Sequence, residues 1–223
     1  MPDRGFYLRW ITANSIGEAL GLGTTFALGV LIAPLLGGDT GTAAVLAGAV
    51  AAVMLGTVLE GVVVGIFQAQ VLHRRLPKLP RRSWIIATAI GAGIAWLLGM
   101  IPSTIMSLID HGESAASGPP AEPSMLMQLG LASLLGLVLG PVLAAPQLRV
   151  LRLHVIQAGR WIWANALAWA IGMPVIFAGM DRLSWDSGGI PLLVGLFVVA
   201  AVAGAAVGAV HGWVLLGMLP RRG

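Results

Sequence analysis

Two carboxylates stand where the sequence should least tolerate them. Glu18 and Glu60 lie within long runs of Gly, Ala, Val and Leu. An ionised carboxyl in such a run costs several kcal/mol unless it is protonated, paired or hydrated. No Lys or Arg lies deep in any apolar run to pair with it. The residue types therefore point to a shared proton, or to a bound cation or amine, because ionisable groups within apolar spans mark ion and substrate paths by default. Helical spacing puts Asn14 one turn before Glu18 on the same face, with Gly21 and Thr25 continuing the stripe, and sets Thr57 and Gly61 beside Glu60. Glu18, Glu60, Asn14 and Thr57 are thus the candidate ion or substrate group. The competing reading is a structural lock, in which the carboxyls are protonated and hydrogen-bonded to Asn14, Ser15 or Thr57.

Other chemistry finds no footing. The absence of cysteine excludes disulfides, thiolate metal sites and a cysteine nucleophile. There is no H-E-x-x-H, G-x-S-x-G or Walker loop. His73, His111, His154 and His211 are scattered, so neither a catalytic constellation nor a metal site is expected. The balance leans away from an enzyme, and nothing specifies a cofactor.

The elements that must carry the carboxylates are membrane helices. Apolar residues make up 57% of the 223-residue chain and charged ones 10%, with a mean hydropathy of +0.90. Soluble domains carry roughly 25% charged residues. Six spans fit, near residues 10–36, 43–72, 84–109, 125–148, 161–180 and 190–218, each long enough for a hydrocarbon core about 30 Å thick. The expected fold is all-α, an integral membrane six-helix bundle forming a single transmembrane domain over 1–223. The first run is too long for a cleaved signal peptide and lacks an A-x-A-like site. Counted from the span ends, both carboxyls fall roughly 12–18 Å into the bilayer.

Charge sorts by side. Arg4, Arg9, Arg74, Arg75, Lys78, Arg81, Arg82, Arg149, Arg152, Arg160, Arg221 and Arg222 flank one end of the spans, and of the 13 basic residues Arg182 alone flanks the other. Asp39, Asp110, Glu113, Glu122, Asp181 and Asp186 share that second side. The positive-inside rule then makes this a multi-pass protein with both termini in the cytoplasm. The pI near 11.0 is accordingly a basic rim facing anionic lipid headgroups, chiefly through the loop His73 to Arg82, and not a nucleic-acid surface. Trp10, Trp84, Trp161 and Trp163 fall at cytoplasmic span ends, where interface anchors are expected. Pro34, Pro102 and Pro174 should kink or end the odd spans near their outer ends, and Asp110 to Ser124 reads as a flexible outer loop.

Self-similarity runs through the chain. The odd spans open with W-I-x-A-[NT] at Trp10–Asn14, Trp84–Thr88 and Trp161–Asn165. The even spans close with G-x-x-x-[GA]-x-x-[QH]-x-x-V-L, beginning at Gly61, Gly140 and Gly204. Three tandem helical hairpins follow, with repeat units about 1–76, 77–155 and 156–223, arranged about a pseudo-threefold axis along the membrane normal. Gly61 with Gly65, and Gly204 with Gly208, make G-x-x-x-G faces for close helix packing, and Gly140 with Ala144 the small-residue equivalent. The repeated polar positions are Asn14 with Gln68, Thr88 with Gln147, and Asn165 with His211. Each pair is expected to clamp its own hairpin by an interhelical hydrogen bond worth about 0.6 kcal/mol. The sharper alternative is a ring of six polar groups around a central ligand or pore, with His211 binding a cation or a porphyrin. Glu18 and Glu60 break the symmetry, since their equivalents are Ala92 and Trp169, and Leu139 and Ala203.

The pattern G-x-x-x-G-x-x-Q-x-x-V-L-x-R, followed by a basic loop and Trp84, resembles one found in uncharacterised bacterial polytopic membrane proteins. The resemblance covers essentially the whole chain through its three copies and implies a bacterial inner-membrane location. The third copy departs from it in carrying His211 where glutamine is usual. The expected function is a small-solute or ion transporter or channel-like protein built on the buried carboxylates. The alternative is a non-catalytic subunit or scaffold of a larger membrane complex, carrying a cofactor or pigment and bound to other membrane subunits.

Overall fold

The computed structural model describes residues 4–32, 41–110, 123–185 and 189–219. Pro34, Asp39, His111, Glu113, Glu122, Asp186, Arg221 and Arg222, and the greater part of the expected outer loop, lie outside them. The chain forms α1 (Arg4–Ile32), α2 (Thr42–Leu55), α3 (Val62–His73), α4 (Arg81–Asp110), α5 (Met125–Leu151), α6 (Arg160–Asp181) and α7 (Gly189–Met218), with no strand among the described residues. A π-helical turn, Gly56–Gly61, joins α2 to α3, so Thr42–His73 runs as one span.

Six helices are thus long and apolar enough to cross a membrane. The shortest, Arg160–Asp181, has 22 residues, sufficient at 1.5 Å per residue for a core about 30 Å thick. Large apolar side chains such as Leu20, Val50, Leu97, Leu134 and Val198 point outward and are exposed, while the polar Asn14, Gln68, Thr88, Gln147, Asn165 and His211 are buried. That inside-out sorting is what lipid demands, since the outer surface meets hydrocarbon and polar groups must find partners within the protein.

Each span packs on the spans before and after it in sequence, and α7 returns to pack on α1, closing a six-helix ring. Glycine sets the separations. A methyl at Gly61 would lie 2.7 Å from Cα of Ala89, and one at Gly65 3.0 Å from Cα of Ile85, so α3 and α4 touch backbone to backbone. A methyl at Gly208 would lie 2.9 Å from Cβ of Asn14 across the α7–α1 seam that closes the ring, and one at Gly21 2.7 Å from Cα of Glu60 between the first two spans. Pro102 and Pro174 stand inside α4 and α6 without ending them, contrary to one of the two effects expected of them.

The helix ends that carry the arginines gather over a shared apolar plug. Trp10, Trp84, Trp161, Leu72, Leu151 and Leu215 have no exposed surface there. The three indoles meet edge to face or tilted, with ring centroids 6.2 Å apart for Trp10–Trp161 and 6.0 Å for Trp84–Trp161. The expectation that these three are interface anchors is therefore corrected. Each indole N–H has an acceptor inside the protein, which removes its preference for the wet headgroup level. Trp163, 71% exposed, keeps the position of an anchor.

Candidate functional site

The interior of the ring is lined by stripes four residues apart. On the odd helices they read Trp10, Asn14, Glu18, Leu22, Phe26; Trp84, Thr88, Ala92, Trp96, Met100; and Trp161, Asn165, Trp169, Met173, Phe177. Residues spaced by four share a helix face, so each stripe descends from the plug into the bundle. Two cavities follow in the same order.

The first cavity is polar and small, about 20 Å³, and lies directly under the tryptophans among Asn14, Glu18, Gln68, Thr88, Gln147, Asn165 and His211. Its walls form a hydrogen-bonded belt. Gln68 Nε2 donates to Asn14 Oδ1 (2.8 Å) and Gln147 Nε2 donates to Thr88 Oγ1 (2.9 Å). Trp84 Nε1 donates to Gln68 Oε1 (3.1 Å), and Trp161 Nε1 to Gln147 Oε1 (2.8 Å). Trp10 Nε1 donates to His211 Nδ1 (2.9 Å). Asn14, Thr88 and Asn165 each donate back to the carbonyl of the tryptophan one turn earlier, at 2.8, 2.9 and 2.9 Å.

The clamps expected within the first two hairpins are present as bonds, but in the third the partner differs. His211 accepts from Trp10, while Asn165 donates to the Trp161 carbonyl. With Nδ1 accepting, the proton of the neutral ring sits on Nε2. A cavity of about 20 Å³ has room for about one water, and none for a porphyrin. The six polar groups line this one small cavity, and each makes a hydrogen bond to another of them or to one of the three tryptophans.

The second cavity is apolar and much larger, about 330 Å³, and lies on the side away from the arginines. Leu22, Phe26, Trp96, Met100, Leu139, Trp169, Met173 and Phe177 face it, and Glu60 stands at its inner end. Glu60, Ala92, Leu143 and Trp169 border both cavities, so the two adjoin at the carboxylate. Trp96 Nε1 donates to Glu60 Oε2 at 2.7 Å. Gly56 makes room for that indole, since a methyl there would overlap the Trp96 ring. Glu18 projects into the polar cavity and is 3% exposed, with Oε2 lacking any hydrogen-bond partner. A methyl at Gly204 would lie 2.7 Å from its Cβ and Cγ, so α7 fixes the stem of Glu18.

Of the candidate group, Glu18, Glu60 and Asn14 share one interior space, and Thr57 does not. Thr57 Oγ1 donates to Val53 O (2.6 Å) and sits against Gly93 of α4 at 2.7 Å from the position its Cβ would take. It falls on the α4-facing stripe with Gly61 and Gly65, one step round the helix from the axis. Ser15 is likewise turned away, donating to Ala201 O at 2.9 Å. Asn14 donates to the Trp10 carbonyl and accepts from Gln68, and no bond from it to either carboxylate is seen among the described residues. The lock through Asn14, Ser15 or Thr57 is therefore not built, and the donor to Glu60 is Trp96, which the sequence reading missed. Its four-residue spacing from Ala92 and Thr88 was the available signal. The π turn that carries Glu60 was also missed; such turns recur at functional sites within helices.

The fold and this interior define an all-α membrane bundle with a closed end, a polar belt and an apolar chamber floored by a carboxylate. No protein-family model, curated protein or solved structure matches the chain.

Proposed function

We propose that the chain is a small-solute transporter of a bacterial inner membrane, in which Glu18 and Glu60 carry the proton or the cationic solute. The observation that carries this reading is the unpartnered Glu18 Oε2 behind Glu60, at the junction of the polar cavity with the apolar chamber. A buried carboxylate oxygen without a protein donor is costly; the adjoining cavity has room for about one water, and a proton or a cation offsets the charge as well. The Trp10, Trp84 and Trp161 plug supports a transporter over an open channel, because it closes the axis at one end. The first half of the second span supports movement: α2 buries no residue, so shifting it about the π turn sacrifices little packing.

In this reading the arginine-rich end and both termini are cytoplasmic, by the positive-inside rule, and Arg74, Lys78, Arg81 and Arg82 rest on anionic headgroups. The ring is three parallel hairpins related by a pseudo-threefold axis. Support comes from the matched belt bonds of Gln68, Gln147 and His211, and from the close approaches at Gly61 and Gly65, at Gly140, and at Gly204 and Gly208, which knit each hairpin to the next. The test is flux in vesicles reconstituted with the full chain. Replacing both carboxylates, Glu18→Gln with Glu60→Gln, abolishes solute-coupled proton movement; unchanged coupling contradicts the proposal.

A further inference from the structure

We infer that the 330 Å³ chamber is the seat of an organic monocation, an ammonium on an apolar body, with its charge against Glu60 and its body among Phe26, Trp96, Met100, Trp169, Met173 and Phe177. This rests on the transporter reading for its purpose, and on the chamber alone for its chemistry. The volume lies at the low end of the roughly 300–1,000 Å³ typical of small-molecule sites. Four of these side chains are aromatic, and a ring face attracts a cation within about 6 Å of its centroid. Two are methionines, whose flexible, polarisable thioethers adapt to irregular apolar shapes.

Other ligand classes fit worse. A hard metal ion takes a shell of several oxygens, and the chamber offers a carboxylate and otherwise mostly carbon. An anion would meet Glu60, with Glu18 behind it. A sugar or similar polyol would lose its hydrogen bonds to water and find few in return. A neutral hydrocarbon would use the walls and leave Glu60 without purpose. The two carboxylates supply what a desolvated ammonium lacks, with Trp96 orienting the nearer one.

Access agrees with the charge. Phe177 and Ser103, on the half of the bundle away from the arginines, line the chamber and are exposed. Arg182 is the one basic side chain among the described residues at that end. A cation therefore approaches without crossing the basic rim. On arrival the ammonium forms an ion pair with the Glu60 carboxylate, and where that carboxyl held a proton, the proton leaves toward Glu18 or the outer water.

The test uses the full chain in nanodiscs and 4-phenylbutylammonium as probe, with the uncharged 4-phenylbutan-1-ol as its near-isostere, read by calorimetry and by the fluorescence of the chamber tryptophans. The ammonium should bind at least tenfold more tightly than the alcohol. Glu60→Gln should bring the ammonium down to the level of the alcohol, and Leu139→Trp, which fills the chamber while keeping both carboxylates in the chain, should remove both. Equal binding of the two probes, or an unchanged ratio in Glu60→Gln, overturns the inference. If Glu60→Gln does not fold, Leu139→Trp decides: ammonium affinity unaffected by filling the chamber overturns it as well. Saturable, Glu60-dependent binding without any flux in vesicles supports the inference while the transporter reading fails. Coupled flux of an inorganic ion, indifferent to bound 4-phenylbutylammonium, leaves the transporter reading and overturns this one.

Discussion

The indole N–H of Trp10, near the start of α1, donates to Nδ1 of His211, near the end of α7, at 2.9 Å. Two other indoles, Trp84 and Trp161, make the corresponding bond to Gln68 and Gln147. In each case a tryptophan opening one hairpin is received by the hairpin before it, and Trp10 with His211 completes the circuit. The bond thus joins the first and last spans at the closed end of the bundle.

Removing the acceptor should loosen that seam. His211→Ala leaves the Trp10 N–H buried and unsatisfied, a loss of about 1–3 kcal/mol. His211→Gln should recover most of it, because glutamine serves at the two matching positions and keeps both an acceptor and a donor. Unfolding in mild detergent, followed by tryptophan fluorescence, measures the ranking wild type, His211→Gln, His211→Ala. A glutamine variant as unstable as the alanine one contradicts the equivalence of the three seams.

Glycines at the helix seams should be intolerant where others are not. Gly61→Ala drives a methyl to 2.7 Å from Cα of Ala89, and overpacking of that kind costs typically 1–3 kcal/mol. Gly48→Ala, on α2 with nothing within 4 Å, should be neutral or stabilising by up to about 1 kcal/mol through helix propensity. Thermal unfolding of the two variants side by side separates them. Equal effects would mean that α3 and α4 are not in backbone contact.

Trp96 should matter to Glu60 by its N–H more than by its bulk. Trp96→Phe keeps an aromatic wall and deletes the 2.7 Å bond to Glu60 Oε2; hydrogen bonds to charged groups are worth about 1.5–3 kcal/mol. Flux in vesicles should fall by roughly tenfold or more, with the helix content of the protein unchanged. Gly56→Ala, which crowds the same indole, should reproduce the defect. Full flux in Trp96→Phe would show that Glu60 does not depend on this donor.

Much of this site was legible in the sequence, and the parts that were not share a physical cause. Glu18 and Glu60 stood out because a carboxyl among apolar residues has no soluble-core excuse. Asn14, Gln68, Thr88, Gln147, Asn165 and His211 stood out by recurrence. Trp96 did not, since an indole in an apolar helix looks like packing until its acceptor is placed in space. The three belt tryptophans read as membrane anchors for the same reason: their position along the helix fits an interface, and their burial depends on neighbours from other spans. Thr57 falls beside Glu60 on α-helical spacing, but both lie in the π turn Gly56–Gly61, which changes the residues that share a face and leaves no mark in composition.

That turn also invites a change of chain length. A π turn holds one residue more than an α turn at the same place, and Val58 within it faces outward, 56% exposed. Deleting Val58 should let the span close as continuous α-helix, with the helix content of the protein kept. It should also turn Glu60 away from Trp96 and stop flux. Retained flux in a folded deletion variant would separate the π turn from function.

The central claim is that Glu60, with Glu18 behind it, exchanges a proton for the solute's positive charge. Infrared difference spectra of the full chain in nanodiscs, recorded with and without 4-phenylbutylammonium, read this at the carboxyl itself. Adding the cation should remove a protonated-carboxyl C=O band and raise a carboxylate band, and Glu60→Gln should abolish the change. A bound cation with no change in the carboxyl bands, or the same change in Glu60→Gln, would contradict it.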